Sequence, residues 1–178
     1  MKKLIILLLS VAVIKNPANA QYKPVNNGSS VEFTIKNLGI NVKGAFSGLE
    51  GNILFDPSHI ADAAFDVSID ANSVNTGNDM RDNHLRNDSY FDVKKYPRIR
   101  FVSAKIEQSN KKGIWLTSGK LTIKNRTKDI SFPFTATASG DGGYVFKGKF
   151  NINRKDFDVG GSSIISDNLE VTLNVLAK

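Results

Sequence analysis

Residues 63–71 read AAFDVSIDA, with Phe65, Val67 and Ile69 set between Asp66, Ser68 and Asp70. Successive side chains of a strand point to opposite faces, so this stretch has one apolar and one wet face. The same period returns along the chain. Val31, Phe33 and Ile35 alternate with Glu32, Thr34 and Lys36. Ile130, Phe132, Phe134 and Ala136 alternate with Ser131, Pro133 and Thr135. Tyr144, Phe146, Gly148, Phe150 and Ile152 form a fourth row, and Leu169, Val171, Leu173 and Val175 a fifth.

Three further segments are strand-like but change phase: Val42 to Phe55 near Gly48, Ile99 to Ile106 after Phe101, and Trp115 to Ile123 at Gly119. A phase change beside glycine predicts a bulge or a corner in a curved sheet. Pro133 lacks the N–H a central ladder needs, which predicts a bulge or a local gap. Ser109–Gly113 and Ser139–Gly143 read as hairpin loops. The sum is eight antiparallel strands in a meander, interrupted once at residues 76–97. Closure into a barrel would remove exposed edges. An eight-stranded barrel is either filled by side chains or holds one small ligand.

Residues 1–20 are excluded from that fold. Met1-Lys2-Lys3 is a basic start, Leu4 to Ile14 an apolar run too short to span a bilayer, and Ala18-Asn19-Ala20 a small-x-small cleavage site. Cleavage after Ala20 would leave residues 21–178 as one domain in the periplasm or outside the cell. Removing Lys2, Lys3 and Lys15 lowers the formal charge from +7 to +4, a mild bias toward anionic partners. The chain has no cysteine, so stability must come from the core.

The interruption reads TGNDMRDNHLRNDSYFDVKKYP, Thr76 to Pro97. Here alternation stops. Asn78 suits an N-cap, Asp79 and Asp82 the first turn of a helix, and Arg86 the last, giving a short helical excursion over about residues 78–90. Tyr90 and Phe91 follow as an apolar anchor. The reading is a helical plug that closes the fold.

Enzymatic and metal chemistry find little support. The mature chain has His59 and His84 but no cysteine and no His-x-x-x-His pair, so no metal is expected. No G-x-S-x-G elbow is present, and Asp79 with Asp82 reads as first-turn residues rather than a hydrolase pair. Nucleic acid is not expected, because the aromatics alternate into the interior.

Four segments together resemble the YceI-like, lipid/polyisoprenoid-binding proteins. TGNDMRDNHLRNDSYFDVKKYPRIRF (76–101) carries the family's TG–RD–HLR–FFD–YP–F pattern. GKLTIKNRTKDISF (119–132), FNINRKDFDV (150–159) and SSVEFTIKNLG (29–39) match in order. Asn37 stands where the family usually has His, and Asn125 where Gly is common.

The resemblance implies an extended, lipocalin-like eight-stranded barrel and a non-enzymatic protein that needs no cofactor. It implies an isoprenoid ligand, a polyprenyl phosphate or quinone-type tail, which the protein would carry, store or scavenge. Candidate channel residues are Phe33, Ile35, Phe46, Phe65, Val67, Ile69, Phe101, Phe132, Phe134, Phe146 and Phe150. Candidate headgroup contacts are Arg81, His84 and Arg86. Transient membrane contact for lipid exchange, as monomer or homodimer, completes the expectation. The rival is a barrel packed solid with phenylalanine, a structural or interaction domain without ligand.

Overall fold

The computed structural model describes residues 21–161 and 164–178. The expected signal segment, residues 1–20, lies outside the described residues. Ten antiparallel strands form one sheet: β1 (Gln21–Tyr22), β2 (Ser30–Asn37), β3 (Ile40–Phe46), β4 (Glu50–Leu54), β5 (Ala64–Asp70), β6 (Arg98–Gln108), β7 (Trp115–Ile123), β8 (Arg126–Ala138), β9 (Tyr144–Asn153) and β10 (Ile165–Ala177). Their order is β1-β4-β5-β6-β7-β8-β9-β10-β2-β3. One helix, α1 (Asp79–Arg86), follows β5.

The sheet curls into a half-barrel, and the expected count of eight strands is corrected to ten. One added strand is the short β1. The other arises because the segment expected as one strand across Gly48 is two. β3 bonds to β2, and β4 bonds to β5, near opposite ends of the sheet. Gly48 makes the corner between them at φ +67, a left-handed conformation that favours glycine. A Cβ there would lie 2.8 Å from that of Asp70. The corner draws the sheet round on itself: Asp70 N–H donates to Ser47 O at 3.0 Å, and Ala45 and Asn75 exchange two backbone bonds. At the opposite end the N-terminal segment leaves β4 and pairs with β10, through Lys23 N–H to Lys178 O at 2.7 Å.

The other phase changes have the expected causes. The β6–β7 register shifts between Ser103 and Lys105, a bulge at Ala104. Gly119 faces it, and a Cβ there would sit 2.3 Å from Val102 O. Pro133 marks a gap. The β8–β9 ladder runs only from Phe134 to Ala138; before it, β8 pairs with β7 alone. The 3-10 turn Arg154–Phe157 packs beside β8 and β10 at this splayed end, with Phe157 buried.

Candidate functional site

The interior divides into two regions. At the end where Phe55 follows β4 and Tyr144 opens β9, Phe55, Phe65, Trp115, Phe134, Tyr144 and Phe146 pack ring against ring. Phe55 lies edge-on to Trp115, Tyr144 and Phe146 with centroids 5.6, 5.2 and 5.3 Å away. Phe65 meets Phe134 and Phe146 at 5.3 and 5.6 Å. Edge-to-face pairs at such distances are favourable and leave little space.

At the other end lies a cavity of about 810 Å³, within the usual range for small-molecule sites. Its wall is aliphatic and aromatic, drawn from the inward rows of β2, β5, β6, β8, β9 and β10. Of the expected channel residues, Phe33, Ile35, Phe46, Val67, Ile69, Phe101, Phe132 and Phe150 border it. Phe65, Phe134 and Phe146 do not, and this is a correction: they point inward as expected but belong to the solid aromatic end. The channel therefore does not run the length of the barrel. Aliphatic neighbours on the same rows, such as Val31, Leu121, Ile152, Val171 and Leu173, complete the wall. The alternation that marked the phenylalanines marks these equally.

The excursion after β5 forms one side of the cavity. Asn78 has extended backbone, and its Oδ1 accepts from Arg81 N–H at 3.0 Å, the expected N-cap. Asp82, 4% exposed, accepts from both the backbone N–H and the hydroxyl of Thr76. Arg81 Nε donates to Thr76 Oγ1 at 2.7 Å, and one of its terminal nitrogens to Thr76 O at 2.8 Å. Arg86 donates to Asn72 O and Val74 O at 2.8 and 2.9 Å. Thr76 is thus the hinge pin of the helix, and the charges of the excursion chiefly fasten it down. Arg81 and His84 border the cavity, whereas Arg86 does not. His84 lies against Tyr90 with centroids 4.9 Å apart. Tyr90 in turn covers Gly160, where a Cβ would come within 2.7 Å of the ring. Phe91 reaches across to Phe46 at 5.4 Å.

Several polar residues at the cavity escaped the sequence reading as site residues, Arg154 and Asn37 among them. Arg154, 4% exposed, holds the loop before β10. Its guanidinium donates to Val159 O, Gly160 O and Ile165 O and pairs with Asp167 Oδ1 at 3.0 Å. Asn37 also borders the cavity, and its Oδ1 is shut off from solvent with no hydrogen-bond partner among the described residues. A buried acceptor left unmade is unfavourable by about 1–3 kcal/mol. The only sequence signal for Asn37 was its departure from the usual family histidine.

Burial in the aromatic end raises the Tyr144 phenol, and the other resolved pKa shifts belong to surface pairs. The Arg100 guanidinium holds Asp66 below the usual carboxylate range. His59 and Asp56 shift each other up and down respectively through a 2.8 Å contact. No group of three or more potential metal ligands occurs among the described residues.

A curled antiparallel half-barrel that keeps an apolar cavity behind a fastened helix defines the class of protein. Within that class the chain belongs to the YceI-like family, whose domain model matches residues 22–177. It is 31% identical over 159 residues to a UPF0312 protein of Shewanella denitrificans, covering 86% of this chain and 82% of that one. Among solved structures it is similar to Burkholderia cenocepacia BcnA, with a TM-score of 0.81 at 28% identity over 87% of this chain and 99% of the other. A polyisoprenoid binding domain from Saccharophagus degradans shares the fold, with a TM-score of 0.72 at 16% identity over 88% and 97% of the two chains.

Proposed function

We propose that the protein is a non-enzymatic binding protein that holds the tail of an isoprenoid lipid in the cavity, as carrier, store or scavenger, and needs no cofactor. The observation that carries this reading is the cavity itself. A predominantly apolar wall around about 810 Å³ is a poor home for water and a good one for hydrocarbon. Burying a tail there is favourable by roughly 25 cal/mol per Å² of apolar surface. The kinship of fold with a polyisoprenoid binding domain supports an isoprenoid over a straight chain.

The headgroup in this reading is uncharged, a quinone or an alcohol rather than a phosphate. Arg154 is occupied by carbonyls and Asp167, and Arg81 by Thr76. Asn37 carries a carbonyl Oδ1 without a partner among the described residues, and a turn of that side chain would let it accept from a headgroup hydroxyl. The protein would act after export, in the periplasm or outside the cell, with transient membrane contact for loading and delivery.

The test has two parts. Lipid mass spectrometry on an organic extract of protein from its own host should find an isoprenoid. Titration of the stripped protein should then rank quinone and polyprenol above polyprenyl phosphate and above fatty ligands of equal length. Failure to bind any of these, with an empty extract, would leave a structural domain.

A further inference from the structure

Among the described residues the large apolar side chains left exposed are Leu38, Ile40, Met80 and Ile164, at 72, 71, 84 and 69%. They are far apart in sequence but collect at one end. Asn37 is the cross-strand partner of both Ile40 and Ile165. The tip of the β2–β3 hairpin and the start of β10 therefore meet at one corner, where Asn37 and Ile165 border the cavity, as Met80 on α1 does. At the aromatic end, the corresponding large side chains are packed away. Isolated exposed apolar residues are ordinary; a set gathered beside a cavity is not.

Leu38 is misplaced by local rules as well as by exposure. Leu38 and Gly39 both have positive φ, +50 and +81, as in a two-residue hairpin turn of type I′. Asn or Asp is preferred at the first position, since their short polar side chains tolerate the left-handed region. A leucine there is strained and wet at once. Local strain combined with exposure is a mark of a surface kept for contact.

The charge of the hairpin names the partner. Between Glu32 and Glu50 the charged residues are Lys36 and Lys43, and neither forms an ion pair among the described residues. An apolar tip flanked by lysines fits an anionic bilayer surface, where leucine and isoleucine enter the interface and lysines meet phosphates. A second copy of this chain fits less well. A symmetric contact through the tip would bring each lysine pair near its own image, and four side chains offer far less than the roughly 800 Å² per partner of a stable interface.

We propose that this corner is a membrane-docking rim: Leu38, Ile40 and Ile164 insert into an anionic lipid surface, Lys36 and Lys43 bind its headgroups, and Met80 links the rim to the cavity. The proposal rests on the lipid-binding reading for its purpose, but its test is independent of cargo.

The experiment is co-flotation of the mature protein with vesicles of phosphatidylcholine alone or mixed with phosphatidylglycerol, containing no isoprenoid. The wild type should float with the mixed vesicles and less with the neutral ones, and added salt should weaken it. The double variant Leu38→Asn/Ile40→Thr should float at least about fivefold less. Because asparagine suits the turn, this variant should melt no lower than wild type. Lys36→Gln/Lys43→Gln should lose the preference for anionic vesicles. None of these residues borders the cavity, so isoprenoid titration in detergent should be unchanged; loss of that titration in wild type would indict the ligand reading instead. Wild type that stays with neither vesicle, or variants that float as wild type does, would overturn the rim. So would a concentration-dependent dimer abolished by Leu38→Asn without vesicle binding.

Discussion

The two ends of the barrel interior are built from the same alternating rows, yet one is solid and the other hollow. Phe134 and Phe132 are two residues apart on β8 and face the same way. Phe134 packs against Phe65 and Phe55 in the aromatic end, while Phe132 stacks on Phe150 at 4.3 Å and borders the cavity. The difference lies in what faces each ring. At the solid end, continuous ladders and the N-terminal segment bring rings together from several strands. At the hollow end, the Pro133 gap splays β8 from β9, the Gly48 corner redirects the chain, and a helix rather than another strand covers the space. A row of phenylalanine is therefore neither packing nor lining until the curvature around it is known.

That contrast is broken or sharpened first by truncation. Phe55→Ala, at a fully buried ring in the solid end, should destabilise by about 3–5 kcal/mol in urea unfolding. Phe33→Ala, on the cavity wall, should lower stability by only about 1–2 kcal/mol because its ring already faces space. It should instead weaken lipid binding. Equal stability losses at the two sites would mean the cavity end is packed as tightly as the aromatic end.

Arg154→Met tests how the hollow end is held open. Removing the guanidinium strands several buried carbonyls and should lower stability by about 3 kcal/mol, with amide exchange rising first near Gly160 and Ile165. A uniform rise across all strands would show that the loop is not a separate unit.

Asp82→Ala should be milder, about 1–2 kcal/mol, as the Thr76 contacts are lost. Binding should survive in the folded protein. An unchanged melting temperature with binding abolished would make Asp82 a headgroup contact rather than a fastener.

The smallest effect belongs to His59, exposed on the loop between β4 and β5. Its pKa is raised, chiefly by the hydrogen bond with Asp56, so its contribution is present below the unfolded value and is lost as pH rises through the folded one. Wild type should lose a trace of stability between roughly pH 6 and pH 8 that His59→Gln lacks, a change in Tm of at most about a degree. A larger change would mean that the loop contributes more to the solid end than its exposure suggests.

Much of this architecture was legible in the residues. Period-2 rows located the strands and their inward faces, because alternation is a property of the single chain. The helix was legible for a similar reason: Asn78, Asp79, Asp82 and Arg86 act within one or two turns of their own backbone, and caps are local chemistry. Gly119 and Pro133 announced a bulge and a gap because each is defined by what its own backbone lacks. The family pattern, carried by motifs in the right order, named the kinship that the domain match establishes.

What remained for the tertiary structure were relations between distant segments. That β3 and β4 bond to opposite sides of the sheet depends on where β2 and β5 lie after curling, which no local signal encodes. Phe65, Phe134 and Phe146 parted from Phe101, Phe132 and Phe150 because filling is a property of the space between strands, not of the row along one. Arg81 and Arg86 stood as headgroup candidates until the fold brought Thr76, Asn72 and Val74 to them. Asn37 looked like a minor family departure until burial left its Oδ1 without a partner among the described residues. Pattern along the chain determined which side chains turn inward; the three-dimensional meeting of strands decided whether they would find one another or enclose a void.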